Sequence, residues 1–243
     1  MYSHQRYRAA CDYDRLPDIT YKVALALRLN VVPRSVCSTF HARYCPRHDK
    51  TLLTMAEVIN HAMRCDSLSG ISAATRHNHI KYAMRNVACR YGVEVAVEPT
   101  GYVYFENASS TRPADVQRRP DIRFKAPLDN KYYVTDLTIV APDDIPGAAA
   151  LRAAENKRHI HSEAVHARNH IFIPFAAETS GFFADCCDKL VSCIAEGLPE
   201  HQHHAFKRDF ASACAAGIAQ FRAEAVMNVF ARNTIVTTRY TDM

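Results

Sequence analysis

The sequence predicts an α+β fold, a sandwich with a mixed central sheet flanked by helices. Three observations lead there. Apolar residues recur at helical spacing over 76–91, 148–169 and two stretches near the C-terminal end. Short alternating or β-branched runs lie between the first two of these, at 93–97, 102–105, 121–124 and 132–140. The resulting order is helix, meandering strands, helix, strand, helices, with no internal repeat.

Residues 20–32, YKVALALRLNVVP, carry helical spacing around Val23 and Leu27 and stop at Pro33. A Cys-, His- and Arg-rich stretch follows over 37–71, with a short apolar-periodic piece from Leu52 to Met63. Thr75 is placed to cap a helix from Arg76 to Tyr91, with Ile80, Met84, Val87 and Tyr91 on one face and Gly92 as its stop. Asn107 to Gln117 reads as a Ser/Thr/Pro-rich loop, and PLDN at 127–130 as the turn of a hairpin. IFIPFA at 171–176 reads as one compact strand, and helices are expected near 182–196 and 203–231. HQHH at 201–204 reads as an exposed linker before the last helix. That helix has apolar spacing from Phe206 through Phe210, Cys214, Ile218, Phe221 and Ala225 to Val229, as core or a dimer face. Three segments are expected: 1–71 with the Cys/His cluster, a core over 72–200, and a packing helix over 201–243.

Of the 243 residues 48% are hydrophobic and 23% charged, enough to bury a core and too apolar for a disordered tail. The formal charge of +5 permits an anionic partner without demanding one. No run of eighteen apolar residues exists, which excludes a helical membrane span. The opening MYSHQRYRAACDYDR is too polar for a signal peptide, and the nine cysteines lack a scaffold-like rhythm. Both point to a reducing compartment, nucleus or cytoplasm.

The sharpest chemical feature is RRPDIRF at 118–124 followed by YYVTDLTIV at 132–140. If the two strands pair through the 127–130 turn, Asp121 and Asp136 reach one end or face of the sheet. A carboxylate inside the apolar VTDLTIV run is expensive to bury without a compensating positive group. A divalent cation is one such group, and paired carboxylates are how Mg²⁺ or Mn²⁺ is held beside water. Lys157, on the following helix in AAENKRH, is the candidate cationic partner, and Glu155 two residues away faces elsewhere. The competing reading is a surface salt-bridge network, with Arg119 and Lys125 pairing to Asp121. Residues 112–125 carry five Arg or Lys against two Asp, so Arg118, Arg119 and Lys125 form a candidate phosphate-contacting edge. Arg76, His77 and Asn78 open a helix and are candidates for the same work, or a solvated first turn. Glu98 is either a third metal-site carboxylate or a solvated strand end, and Glu178 a group that orients the next helix through Thr179 and Ser180.

Cys45, His48, His61 and Cys65 form a C-x2-H-x12-H-x3-C pattern whose two close pairs suit tetrahedral Zn²⁺. A helix from Met55 would put His61 and Cys65 on one face and present Arg43, Arg47, Lys50 and Arg64 to nucleic acid. Coincidental spacing is the alternative, and Cys37 and His41 compete for one ligand position.

Taken together, ALALRLNVVP, the Cys45–Cys65 knuckle, RHNHI at 76–80, RPDI at 119–122, VTDLTIV, Lys157 and FIPFAAETSG at 172–181 form a recognisable series. It resembles the zinc knuckle and restriction-like endonuclease domain of site-specific non-LTR retrotransposons, a branch of the PD-(D/E)xK nuclease superfamily. The likeness covers roughly residues 20 to 200. It implies a restriction-endonuclease-like core and a metal-dependent DNA endonuclease, with Asp121 and Asp136 as metal-binding carboxylates and Lys157 as the catalytic lysine. It also implies structural zinc on Cys45, His48, His61 and Cys65. The expected partners are DNA or RNA, a reverse transcriptase and, through the last helix, a second copy. Thr138 stands where the superfamily pattern carries lysine, so the resemblance hands that role to the helix.

Overall fold

The computed structural model describes residues 18–28, 43–45, 47–52, 54–102 and 119–240. The chain divides into two compact units, one built on Ile80–Cys214, the other on Ala10–His79 together with Ala215–Met243. The fold is mixed α and β, with a mixed sheet flanked by helices.

In the Ile80–Cys214 unit, β3 (Glu94–Val97) runs antiparallel to β4 (Ile122–Lys125), and β4 antiparallel to β5 (Tyr133–Thr135). The turn expected at 127–130 closes that hairpin, with the Asp129 carboxylate accepting from Lys131 N–H at 3.0 Å and Tyr133 O–H at 2.6 Å. β5 pairs in parallel with β7 (Ile171–Phe172), and β6 (Leu137–Val140) in parallel with β8 (Phe175–Glu178). Both parallel pairs keep the same residue offset, so they are two halves of one strand pair broken at Asp136 and Pro174. The N–H groups of Ile171, Ile173 and Phe175 donate in turn to the carbonyls of Tyr132, Val134 and Asp136, at 2.9, 2.9 and 3.1 Å. Pro174 falls between them, where an N–H would point away from the ladder, the position an edge strand tolerates. The single strand expected at 171–176 is therefore two short ones.

Period-two alternation then assigns faces. Phe124 and its partner Tyr133 share one face, where Phe124 and Phe175 meet Phe210 at ring separations of 6.3 and 6.4 Å. Phe210 lies on α7 (Glu200–Tyr240). Val134 and Phe172 point to the other face and form a buried cluster with Val165 of α5 (Ala148–His166). Alanines at 149, 150, 154 and 164 are buried on α5, which lets its backbone approach β6, β7 and β8 closely. The helix α6 (Asp185–Glu196) packs on β8.

The helix α4 (Ala73–Arg90) carries the expected stripe, with Ile80, Met84, Val87 and Ala88 buried. It begins three residues before the expected start, because the Ser72 hydroxyl rather than Thr75 meets the first turn, accepting from Thr75 N–H at 3.0 Å. Gly92, at φ +75°, ends it. HQHH is not a linker: it lies in the first turn of α7, whose Gln202 N–H bonds Pro199 O at 2.8 Å. The strand expected at 102–105 and the loop at 107–117 lie outside the described residues but for Tyr102, which is in no strand.

The second unit holds α1 (Asp18–Arg28), the hairpin of β1 (Arg43–Cys45) and β2 (Lys50–Leu52), α2 (Met55–Ala62) and the single turn α3 (Asp66–Ser69). The helix expected over 20–32 is the shorter α1 among the described residues. Thr54 and Glu57 close a capping box on α2, which fixes where that helix starts. Val23, Ala24, Leu27, Leu52, Val58 and Met63 bury against Phe221, Ala225, Val226 and Val229 of α7. The final-helix stripe is therefore core. No helix of the described residues is long and apolar enough to cross a membrane.

Candidate metal centres

Asp121 sits just before β4 and Asp136 in the break between β5 and β6. One step beyond the Ile122–Thr135 pair the two stand opposite each other, and alternation sends both side chains to the α5 face. They are 8% and 5% exposed, and their carboxylate oxygens lie within 4.8 Å. The Asp121 backbone is tied on both sides: its N–H donates to Thr135 O at 3.0 Å, and its carbonyl accepts from Glu98 N–H at 2.7 Å. Its Oδ2 accepts the Leu137 N–H at 2.7 Å, so the hairpin itself pins the first carboxylate next to the second.

Two side chains from α5 reach Asp136. Lys157 Nζ donates to Oδ2 at 2.7 Å, and His161 Nε2 lies 2.6 Å from the same oxygen. Lys157 and His161 are four apart and so share a helix face. His161 is 3% exposed and its ring lies 5.3 Å from that of Phe172. Burial pushes the Asp136 carboxyl up, but hydrogen bonds with His161 and Asp121 and the charge of Lys157 outweigh it. They hold the group well below the usual carboxylate range.

No protein-family model and no curated protein sequence matches this chain. The chemistry of the site therefore rests on its own residues.

Sequence reasoning missed two groups here. His161 left a readable signal, since it follows Lys157 at helical spacing. Lys81 left little, standing one residue beside the apolar stripe of α4. It is 2% exposed, with Nζ 2.7 Å from Glu98 Oε1 and 3.9 Å from Asp121 Oδ1. Each aspartate thus has a lysine of its own. Glu98, read as a metal carboxylate or a solvated strand end, is an ion-pair partner held at φ +49°. Asp121 and Asp136 are hard oxygen donors of the kind Mg²⁺ and Mn²⁺ take, and their approach within 4.8 Å suits a shared ion.

Arg119 is exposed, and Arg118 lies outside the described residues. Lys125 Nζ lies 5.2 Å and Arg123 4.8 Å from the Tyr132 ring centroid, a basic and aromatic patch on the sheet. His77 and Asn78 lie on α4, half-buried and exposed. Glu155 is exposed, and Thr138 half-buried in β6. Glu178 is wholly buried, its Oε2 accepting from Ser180 O–H at 2.8 Å while Oε1 has no partner.

The second centre is in the other unit. Cys45, His48, His61 and Cys65 each offer one ligand atom, and the four atoms lie within 4.8 Å of one another. Zinc, with bonds of about 2.3 Å to sulfur and about 2.0–2.1 Å to nitrogen, sets tetrahedral S···S edges of about 3.8 Å and S···N edges of about 3.6 Å. Cys45 Sγ lies 3.7 Å from Cys65 Sγ and 3.5 Å from His48 Nδ1. His61 Nε2 is buried without a hydrogen-bond partner, the mark of a ligand nitrogen facing a site. Burial, then His48, Lys50 and Arg64, push the His61 imidazole down toward its neutral, ligating form. The cluster can hold a metal such as zinc. Cys37 and His41 lie outside the described residues.

Proposed function

We propose that the Ile80–Cys214 unit cleaves phosphodiester bonds of DNA with Mg²⁺ or Mn²⁺, as a restriction-like endonuclease of the PD-(D/E)xK kind. One observation carries the reading: Asp121 and Asp136 approach within 4.8 Å on one sheet face, with Lys157 Nζ 2.7 Å from Asp136. Asp121 and Asp136 are the residues to hold the cation, which supplies charge neutralisation and a more acidic bound water. Lys157 keeps a positive charge beside the scissile phosphate and a proton donor at its Nζ. His161 and Lys81 hold the two carboxylates in place, as partners behind ligands do. The Cys45–Cys65 cluster is read as structural Zn²⁺. The protein works in nucleus or cytoplasm, beside a reverse transcriptase.

Purified protein should nick supercoiled plasmid with Mg²⁺ or Mn²⁺, and Asp136→Ala should abolish nicking while plasmid affinity stays within about threefold, since backbone contacts supply most of that affinity. Melting curves of Asp136→Ala beside wild type separate loss of the site from unfolding. A second reading has its own observation: Asp136 Oδ2 is met by both Lys157 and His161, so the carboxylate is satisfied without a cation. It describes a nucleic-acid-binding module without turnover. Salt-dependent DNA affinity with no nicking in either metal decides for it.

A further inference from the structure

We infer that the unit holding the Cys45–Cys65 cluster has an anion pocket beside that cluster, one that takes a backbone phosphate of a nucleic-acid strand. Its basis is a cavity of about 200 Å³ bounded by residues of that unit alone. Arg47, Arg64, Arg76 and Phe221 line it together with His48 and Cys65 of the metal cluster, and none of its lining residues is a carboxylate. Three arginines thus border one small concavity, and an anion seated there meets positive charge from each of them.

Arg76 is the built part of the site. It rises from the first turn of α4, and its guanidinium lies over the Phe221 ring at 4.6 Å from the centroid. Arg76 is half-buried, and desolvation by burial pushes its pKa down, so its charge is partly withdrawn from water, where pairing with an anion is worth more than on an open surface. One N–H goes to Met63 O at 3.3 Å. A guanidinium has five, in a planar fork that suits the oxygens of a phosphate. Arg64 and Arg47 are exposed and stand at the rim, and Arg64 directly precedes the cluster cysteine Cys65.

The size selects the ligand. A cavity of this volume takes a phosphate and part of its sugar or base, and the Phe221 wall offers an apolar surface to the latter. A strand phosphate and a free nucleotide present the same group. The strand is favoured because two of the three arginines are exposed at the rim, where a continuing backbone passes. The inference stands whether or not the Asp121–Asp136 pair cuts.

The test is binding of a fluorescent single-stranded 12-mer by anisotropy, at several salt concentrations, with protein of verified zinc content. Arg47→Ala/Arg64→Ala, at exposed positions, is expected to weaken binding about tenfold and to lower the slope of log affinity against log salt by about 0.7 for each phosphate left without its arginine. Arg76→Lys keeps the charge and loses the planar fork, so affinity falls while the slope holds. The same losses should appear in an Asp136→Asn background, which separates this pocket from the carboxylate site. Inorganic phosphate, titrated into isotope-labelled wild type, should shift the resonances of Arg76 and Phe221. Adenosine monophosphate binding as tightly as the 12-mer would assign the pocket to free nucleotides, and tighter 12-mer binding to a strand. Unchanged affinity and slope in the double variant, or no shift of those resonances at tens of millimolar phosphate, overturns the proposal.

Discussion

Replacing Lys157 by Met removes the ammonium that reaches Asp136 at 2.7 Å and keeps the apolar stem that crosses the α5 surface. The gross Coulomb attraction at that distance is about 6 kcal/mol with an effective dielectric near 20. Most of it is offset by desolvation, because Asp136 is 7% and Lys157 27% exposed in their side chains. A hydrogen bond to a charged group is worth about 1.5–3 kcal/mol net, and the part-exposed lysine puts this one near 2 kcal/mol. For a chain of this size that lowers the melting temperature by about 4–8 °C at neutral pH. The effect should depend on pH in a definite direction. The Asp136 carboxyl is held below its unfolded value near 3.9, so its stabilisation is present above that pH and disappears as pH falls through the folded value. Without Lys157 the folded value rises, and the acid loss of stability begins at higher pH. Wild type and variant should therefore differ most near pH 7 and converge in acid. Thermal melts at pH 7, 5 and 3 measure this. Equal melting temperatures at pH 7 would show that the contact is energetically empty and that Asp136 is satisfied by His161 alone.

Two further outcomes concern the second unit. Tag-free protein should contain about one equivalent of zinc by elemental analysis, and Cys45→Ser should reduce it to near zero and melt the β1–β2 hairpin and α2. Thr54→Ala removes the hydroxyl that caps α2 and half of the capping box with Glu57, and should cost about 1 kcal/mol in urea unfolding.

The hairpin and the meeting of its two aspartates are legible in the sequence because both depend on short-range features: the PLDN turn and alternation on either side of it. The four-residue spacing of His61 and Cys65 is legible for the same reason. What escapes depends on distant registers. Nothing local says that Pro174 comes to lie beside Asp136, so the sequence suggests one apolar strand where the structure has two. Lys81 is flanked by residues that all fit an ordinary amphipathic helix, and only the position of β4 reveals that it meets Asp121. HQHH misleads because four polar residues look like a linker, although Pro199 ahead of them is a common way to open a helix. His161 is hidden for a different reason: its spacing from Lys157 is plain, but nothing nearby marks it as a carboxylate's partner.

That the unit holding the Cys45–Cys65 cluster is assembled from Ala10–His79 and Ala215–Met243 has a consequence for synthesis. The carboxylate-bearing unit leaves the ribosome as one stretch and can fold as it emerges. The other half-made unit holds Val23, Leu27, Leu52 and Val58 in water until Phe221, Val226 and Val229 arrive. At translation rates of about 5–20 residues per second that wait is on the order of 10–30 s. During it the early apolar segments are open to chaperones and to neighbouring nascent chains. A chain cut short just beyond Cys214 lacks Phe221, Val226 and Val229, so those early apolar segments stay uncovered.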